Sequence, residues 1–197
     1  MDKFSYAIGL GIGQNLLSMG AKGIIVDDFA QAIKDKMEGN PTAISHNEAR
    51  DIVNAYFAEL EGTMNAASIE AGKQYLEENK MRPGVVTLPS GLQYEVINEG
   101  NVGTYATATD QVECHYEGTL IDGTLFDSSI QRGQPATFGV NQVIPGWVEA
   151  LQLMPEGAKW KLYIPSDLAY GAQGAGEMIP PHSTLVFTVE LLKVLNK

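Results

Sequence analysis

Disulfide bonding within the chain is excluded at once, because its 197 residues include a single cysteine, Cys114. That residue falls in the strand-like run "DQVECHYEGTL", where a small buried apolar role is expected rather than a reactive thiol. Basic residues are also scarce. Lys and Arg number 13 against 24 Asp and Glu, so the net charge is −11 and no basic patch is visible. Such a chain repels phosphate backbones, and nucleic acid is not an expected partner. The three histidines, His46, His115 and His182, have no cysteine or carboxylate at ligand spacing, so neither a metal nor another cofactor is expected. Serines occur without a nucleophile-elbow sequence, which leaves covalent hydrolysis unsupported. Long apolar runs are missing too. The N-terminal "FSYAIGLGIGQNLL" follows one Lys beside an Asp and carries Gln14-Asn15 in its middle. It reads neither as a secretory leader nor as a membrane span, and a cytoplasmic location is the expectation.

Hydrophobic residues at 44% and charged ones at 19% mark a globular chain, long enough for one large domain or two small ones. Two grammars divide it. In the first, Phe4, Ile8, Ile12, Leu16 and Met19 form a helical ladder, with Gly9 and Gly13 on a neighbouring face. Asp28 before "FAQAIKDKM" and Gly39-Asn40-Pro41 after it bracket a short second helix. Ser45 and Glu48 make a capping box that opens a third. No proline interrupts the chain between Pro41 and Pro83, so this helix is expected to run about 35 residues, or about 50 Å. Glycines four apart on the first helix allow close approach by another helix. Two arrangements follow: a three-helix core within one chain, or dimerisation through the first two helices, here preferred because so short a region buries little surface alone.

After Met81-Arg82-Pro83-Gly84 the second grammar begins. "GLQYEVINEG", "DQVECHYEGTL", "WKLYIPS" and "TLVFTVELLKVL" read as strands between turns, and "GWVEALQLM" as the one helix among them. The fold class is α+β: a three-helix N-terminal region with a long third helix, then an antiparallel sheet against one short helix. The segment "AYGAQGAGEMIPPH" packs three glycines into six residues but runs into Pro180-Pro181 and a strand. A phosphate loop needs a helix there, so the loop serves another purpose.

Aromatic and branched side chains cluster beside the turns of this half: Tyr116, Phe126, Phe138, Val143, Ile144, Trp147, Tyr170, Ile179 and Phe187, with Asp127 directly after Phe126. Each alone reads as core. In company, "GTLFDSS", "VIPGW", "AYGAQGAG" and "IPPHSTLVFTVELLKV" resemble, in order and spacing, the FKBP-type peptidyl-prolyl cis-trans isomerases. The likeness covers residues 87–197. The helical half, with "SYAIGLGIGQNL" and "YLEENK", looks like the N-terminal region of Mip-like bacterial members, a dimerisation arm that gives a V-shaped homodimer.

The resemblance implies a helical dimerisation domain and stalk over 1–86, pairing through residues 1–40, and an isomerase domain over 87–197. It implies a proline pocket with Trp147 as floor and Tyr116, Phe126, Phe138, Val143, Ile144, Ile179 and Phe187 around it. Asp127 would be the one acidic group at the rim, Tyr170 a hydroxyl donor to a substrate carbonyl, and the Ile144 N–H a second donor. Asp127, Tyr170 and Phe126 are the candidate catalytic residues, and the glycines of 171–176 shape a flap beside the pocket. Proline-containing peptides, unfolded protein clients and macrocyclic inhibitors are the implied ligands. Proline isomerisation breaks no bond. It must overcome about 18–20 kcal/mol of amide resonance, which a site achieves by binding the twisted amide better than either planar form. The competing readings are a proline-docking module without catalysis, a dimeric chaperone holdase, and a small-molecule carrier.

Overall fold

The computed structural model describes residues 1–195 and divides into two compact units, Met1–Met64 and Asn65–Lys197. In the first unit, α1 (Lys3–Ser18) is opened by Asp2, whose carboxylate accepts the Ser5 N–H at 2.8 Å. Helix α2 (Val26–Glu38) begins two residues before Asp28, with Ile25 at the cap and no side-chain cap bond. The expected bracket at Asp28 is therefore corrected, since the helix already includes it. Asp27 and Asp28 lie in the first turn, where their charge faces the positive end of the helix dipole. Gly39 closes α2 in the left-handed region at φ 73°. Helix α3 (His46–Asn79) runs 34 residues, and the Glu48 N–H donates to Ser45 Oγ at 3.2 Å, one of the two bonds of the expected capping box.

Little of this unit is sheltered. Ala21 is the one buried residue between Met1 and Met64, while Phe4 is 75% and Leu17 65% exposed. The link from α1 to α2 is held to α3 by Tyr56, whose hydroxyl accepts the Lys22 N–H at 3.2 Å and donates to the Lys22 carbonyl at 3.1 Å. Nothing here amounts to a three-helix core closed within one chain.

The second unit is built on an antiparallel sheet of β1 (Val85–Thr87), β2 (Gln93–Asn98), β8 (Lys159–Ile164), β9 (Leu185–Leu195), β4 (Gln111–Leu120) and β5 (Leu125–Ser128), in that spatial order. A further strand, β6 (Ala136–Gly139), pairs with β4 at Gln111–Cys114, beside the stretch Glu117–Thr119 that pairs with β5. Strands β3 (Asn101–Tyr105) and β7 (Pro155–Glu156) form a separate ribbon. Along β4 buried and half-exposed residues alternate, as the pleat dictates. Helix α4 (Pro145–Leu153) starts on a proline, whose missing N–H costs nothing at that position. It buries Gly146, Trp147, Ala150 and Leu151 over a core that includes Val112, Cys114, Leu162, Ile164, Leu185, Val189 and Leu191. A Cβ on Gly146 would lie 2.6 Å from Ile164 Cγ2, so the missing side chain lets α4 settle close to the sheet. Cys114 is fully buried, and burial with the nearby Glu113 charge pushes its thiol up to about 12.

The last turns of α3 belong to this second unit, so the units divide inside α3 rather than at the change of sequence pattern after Met81. The reason is a polar lattice. Buried Asn79 donates to Gln93 Oε1 at 2.8 Å, and Gln93 donates to the Leu76 carbonyl at 2.9 Å. Arg82 Nη1 donates to Asn79 Oδ1 and to the Tyr163 hydroxyl, each at 2.8 Å, and Nη2 pairs with Glu95 at 3.1 Å. Gly72 is buried against Thr184, whose Cβ would stand 3.2 Å from an added Cβ. Substituting Gly72→Val should overfill that contact and lower stability by about 1–3 kcal/mol. A urea titration followed by circular dichroism would show it as a lower midpoint; an unchanged midpoint would remove Gly72 from the packing argument.

Candidate active site

The first turn of α4 directs Trp147 into the sheet, where it is only 3% exposed. Three rings meet it edge-on: Tyr116 of β4 at 5.3 Å, Phe187 of β9 at 5.3 Å and Phe138 of β6 at 5.6 Å between centroids. Phe126 of β5 stands edge-on to Phe187 at 5.4 Å. Room for these two rings comes from Gly118 of β4, where a Cβ would lie 2.5 Å from the Phe187 ring and 2.7 Å from Phe126. The rings, with Val143, Ile144, Tyr170 and Ile179, enclose an open cavity of about 670 Å³. All ten residues singled out from the sequence, Asp127 included, line it.

Two of the donors singled out from the sequence have no partner among the described residues, and neither does the buried Trp147 Nε1–H. The Ile144 carbonyl accepts the Trp147 N–H at 2.9 Å at the head of α4, but the Ile144 N–H finds no backbone partner. The hydroxyls of Tyr56, Tyr116 and Tyr163 are engaged, whereas that of Tyr170, on a residue 41% exposed, is not. Neither of the two atoms needs to break a bond within the protein to meet a ligand.

Asp127 is in the opposite condition. Its Oδ2 accepts the Tyr116 hydroxyl at 2.6 Å, its Oδ1 pairs with Arg132 Nη1, and Arg132 Nη2 donates to the Tyr116 oxygen at 2.7 Å. The Arg132 guanidinium also lies over the Tyr116 ring, 5.5 Å from its centroid. Burial pushes the Asp127 carboxyl up, but the Tyr116 hydroxyl and the Arg132 guanidinium together outweigh it and hold the carboxyl below the usual range. Burial, reinforced by Asp127, pushes the Tyr116 phenol up. Arg132 escaped the sequence reading, although a signal was there: it is the only Lys or Arg between Arg82 and Lys159, and it follows Asp127 by five residues.

The glycine loop forms one wall. Gly171, Gly174 and Gly176 take φ of 56°, 63° and 56°, and a Cβ on Gly174 would stand 2.9 Å from the Pro180 carbonyl carbon. Ala175 and Ile179 exchange backbone hydrogen bonds of 2.9 and 3.1 Å, which close the tip Gly176-Glu177-Met178 at the cavity mouth. The loop holds only a single 3₁₀ turn, Gly171–Gln173, and no α-helix follows its glycines, so the N–H array of a phosphate loop is absent. Asp127 is not the one acidic group at the rim, because Glu177 lines the cavity as well. Gln142 is a further lining residue that the sequence reading passed over. Among the described residues, no group of three or more His, Cys, Asp and Glu side chains could hold a metal ion.

Known proteins resemble this chain over nearly its whole length. Residues 103–192 match the family model described as FKBP-type peptidyl-prolyl cis-trans isomerase, and residues 1–96 match that of the domain amino terminal to it. The chain is 50% identical to the FKBP-type 22 kDa peptidyl-prolyl cis-trans isomerase of Escherichia coli, over 97% of this chain and 94% of that protein. It is 42% identical to the outer membrane protein MIP of Legionella longbeachae, over 98% and 85% of the two chains. The crystal structure of FkpA from Escherichia coli superposes with a TM-score of 0.80 at 35% identity, covering 98% of this chain and 96% of that one. The chain belongs to the FKBP-type peptidyl-prolyl cis-trans isomerases, and it is an enzyme of that class.

Proposed function

We propose that the cavity floored by Trp147 is where the Xaa-Pro bond is turned, and that its residues divide the work as follows. The observation that carries this reading is the pairing of an aromatic cup with two uncommitted donors, the Ile144 N–H and the Tyr170 hydroxyl. The cup of Trp147, Tyr116, Phe126, Phe138, Val143, Ile179 and Phe187 grips the pyrrolidine ring while the preceding carbonyl swings. Removing the amide from water favours rotation, since water stabilises the polar planar form more than the less polar twisted one. The two donors hold carbonyls flanking the proline, which fixes one side of the bond as the other turns. Asp127 acts as an orienting charge. Its oxygens are held by Tyr116 and Arg132, and no proton has to be removed.

For the helical half we infer pairing of two chains through residues 1–40, with unfolded clients handled by the dimer. The apolar side chains left open on α1 and α2, among them Phe4, Ile8, Leu17 and Val26, support that reading. They also keep the holdase reading in view, because an uncovered apolar face takes up unfolded chain.

Exchange of a short Xaa-Pro peptide, followed by NMR, tests the pocket. Tyr170→Phe should lower kcat/KM about five-fold, the worth of one hydrogen bond, and Asp127→Ala should weaken catalysis without abolishing it. Complete loss in a folded Asp127→Ala protein would sink the orienting role. The carboxyl of Asp127 is held low, so it stays charged well into acid, and activity should be flat between about pH 5 and 8. Arg132→Ala releases that hold, and the acid limb of the pH profile should move to higher pH; an unmoved limb would detach Arg132 from Asp127. Sedimentation should give twice the 21.3 kDa chain mass. Ile8→Glu should yield a monomer that still turns peptides but no longer speeds refolding of a proline-limited protein. A dimer undisturbed by that change would place the interface elsewhere.

A further inference from the structure

Two charged side chains line the cavity, and isomerisation as derived above uses only one of them. Asp127 is compensated by Arg132. Glu177 is not: it takes part in none of the ion pairs among the described residues and stands exposed at the tip of the flap. The loop does not let it swing away freely, because the reciprocal Ala175–Ile179 hydrogen bonds bind the two ends of the tip together. Its neighbours at the mouth, Ala175, Gly176 and Met178, carry no charge. No lysine or arginine lies between Lys161 and Lys193 to neutralise it from along the chain.

We propose that Glu177 sets a charge preference for substrate, favouring Lys or Arg two residues away from the proline on either side and disfavouring Asp or Glu there. The proposal rests on the prolyl-pocket reading given above. A proline seated on Trp147 must send its neighbours out through the mouth, past the tip that carries Glu177. A carboxylate there, beside low-dielectric aromatic walls, focuses its field on whatever passes. Tyr170 and Ile144 hold backbone carbonyls and are indifferent to side-chain charge, so Glu177 adds a discrimination that the cup itself lacks. An exposed pair of this kind is worth about two- to five-fold in kcat/KM at low salt, and less as salt screens it.

The net charge of −11 pulls in the same direction, and the experiment has to separate the two. Peptides with Lys, Gln or Glu placed two residues before or two after the proline would be assayed with the full-length protein at low and at high salt. Acceleration of the Gln peptides establishes the isomerase reading independently; its absence would overturn that reading and this one together. The Lys-to-Glu ratio of kcat/KM then decides. It should be about two- to five-fold on at least one side of the proline and shrink in salt. It should fall in Glu177→Gln, invert in Glu177→Lys, and survive in Glu99→Gln, which removes an exposed carboxylate from the turn between β2 and β3. Equal rates for Lys and Glu peptides, or a ratio that Glu177→Gln leaves unchanged, would overturn the proposal and assign any preference to the overall field.

Discussion

Trp147 touches three rings edge-on, and sheet, short helix and cavity all hang on that contact. The four partners come from four elements: α4, β4, β6 and β9. Each edge-to-face pair adds about 0.5–1.5 kcal/mol beyond the area it buries. The packing is therefore both the core of the unit and the floor of its pocket. An apolar cup made this way is stiff, since no wall can shift without disturbing the ring behind it. That suits a reaction in which the protein contributes geometry rather than a nucleophile. Two missing side chains make the arrangement possible. Gly118 opens space for Phe126 and Phe187, and Gly146 lets α4 come down on Ile164.

The parts legible in the sequence are those whose cause is local. Residues 111–120 and 187–191 alternate because β4 and β9 bury one face there, and the Ser45 hydroxyl caps α3 where its pattern says. The cup's residues stood out through short linked motifs, and all of them meet at the cavity. What escaped depends on distance. β3 and β7 are too short or too exposed to carry an alternating pattern, and β6 is strand only because β4 offers it an edge. Helix α2 starts two residues before Asp28, after extended backbone at Ile25 and with no side-chain cap bond to mark its start. Gln142 and Glu177 carry no apolar or motif signal, and only the folded loops bring them to the mouth.

The helical unit shows the reverse limit. Its periodicity was plain, yet periodicity says only that a face exists, not what covers it. On α1 an added Cβ at Gly9 or Gly13 would meet nothing within 4 Å. The glycine ladder thus leaves bare backbone beside apolar side chains, a surface that favours close approach by another helix over solvent. At the other end of α3 the polar lattice around Arg82, Asn79 and Gln93 makes the final turns part of the sheet unit. The Pro83-Gly84 break marks where the chain changes direction, which is not where packing divides it.

Cys114 has a bearing on the company this protein keeps. Its thiol is fully enclosed beneath α4, and burial holds it in the protonated form. Thiol exchange proceeds through a thiolate that can reach a partner sulfur, and Cys114 offers neither the charge nor the access. A protein that grips unfolded chains meets their cysteines before those are paired. If this chain handles clients as proposed above, its one enclosed thiol keeps it from being caught in a mixed disulfide with them.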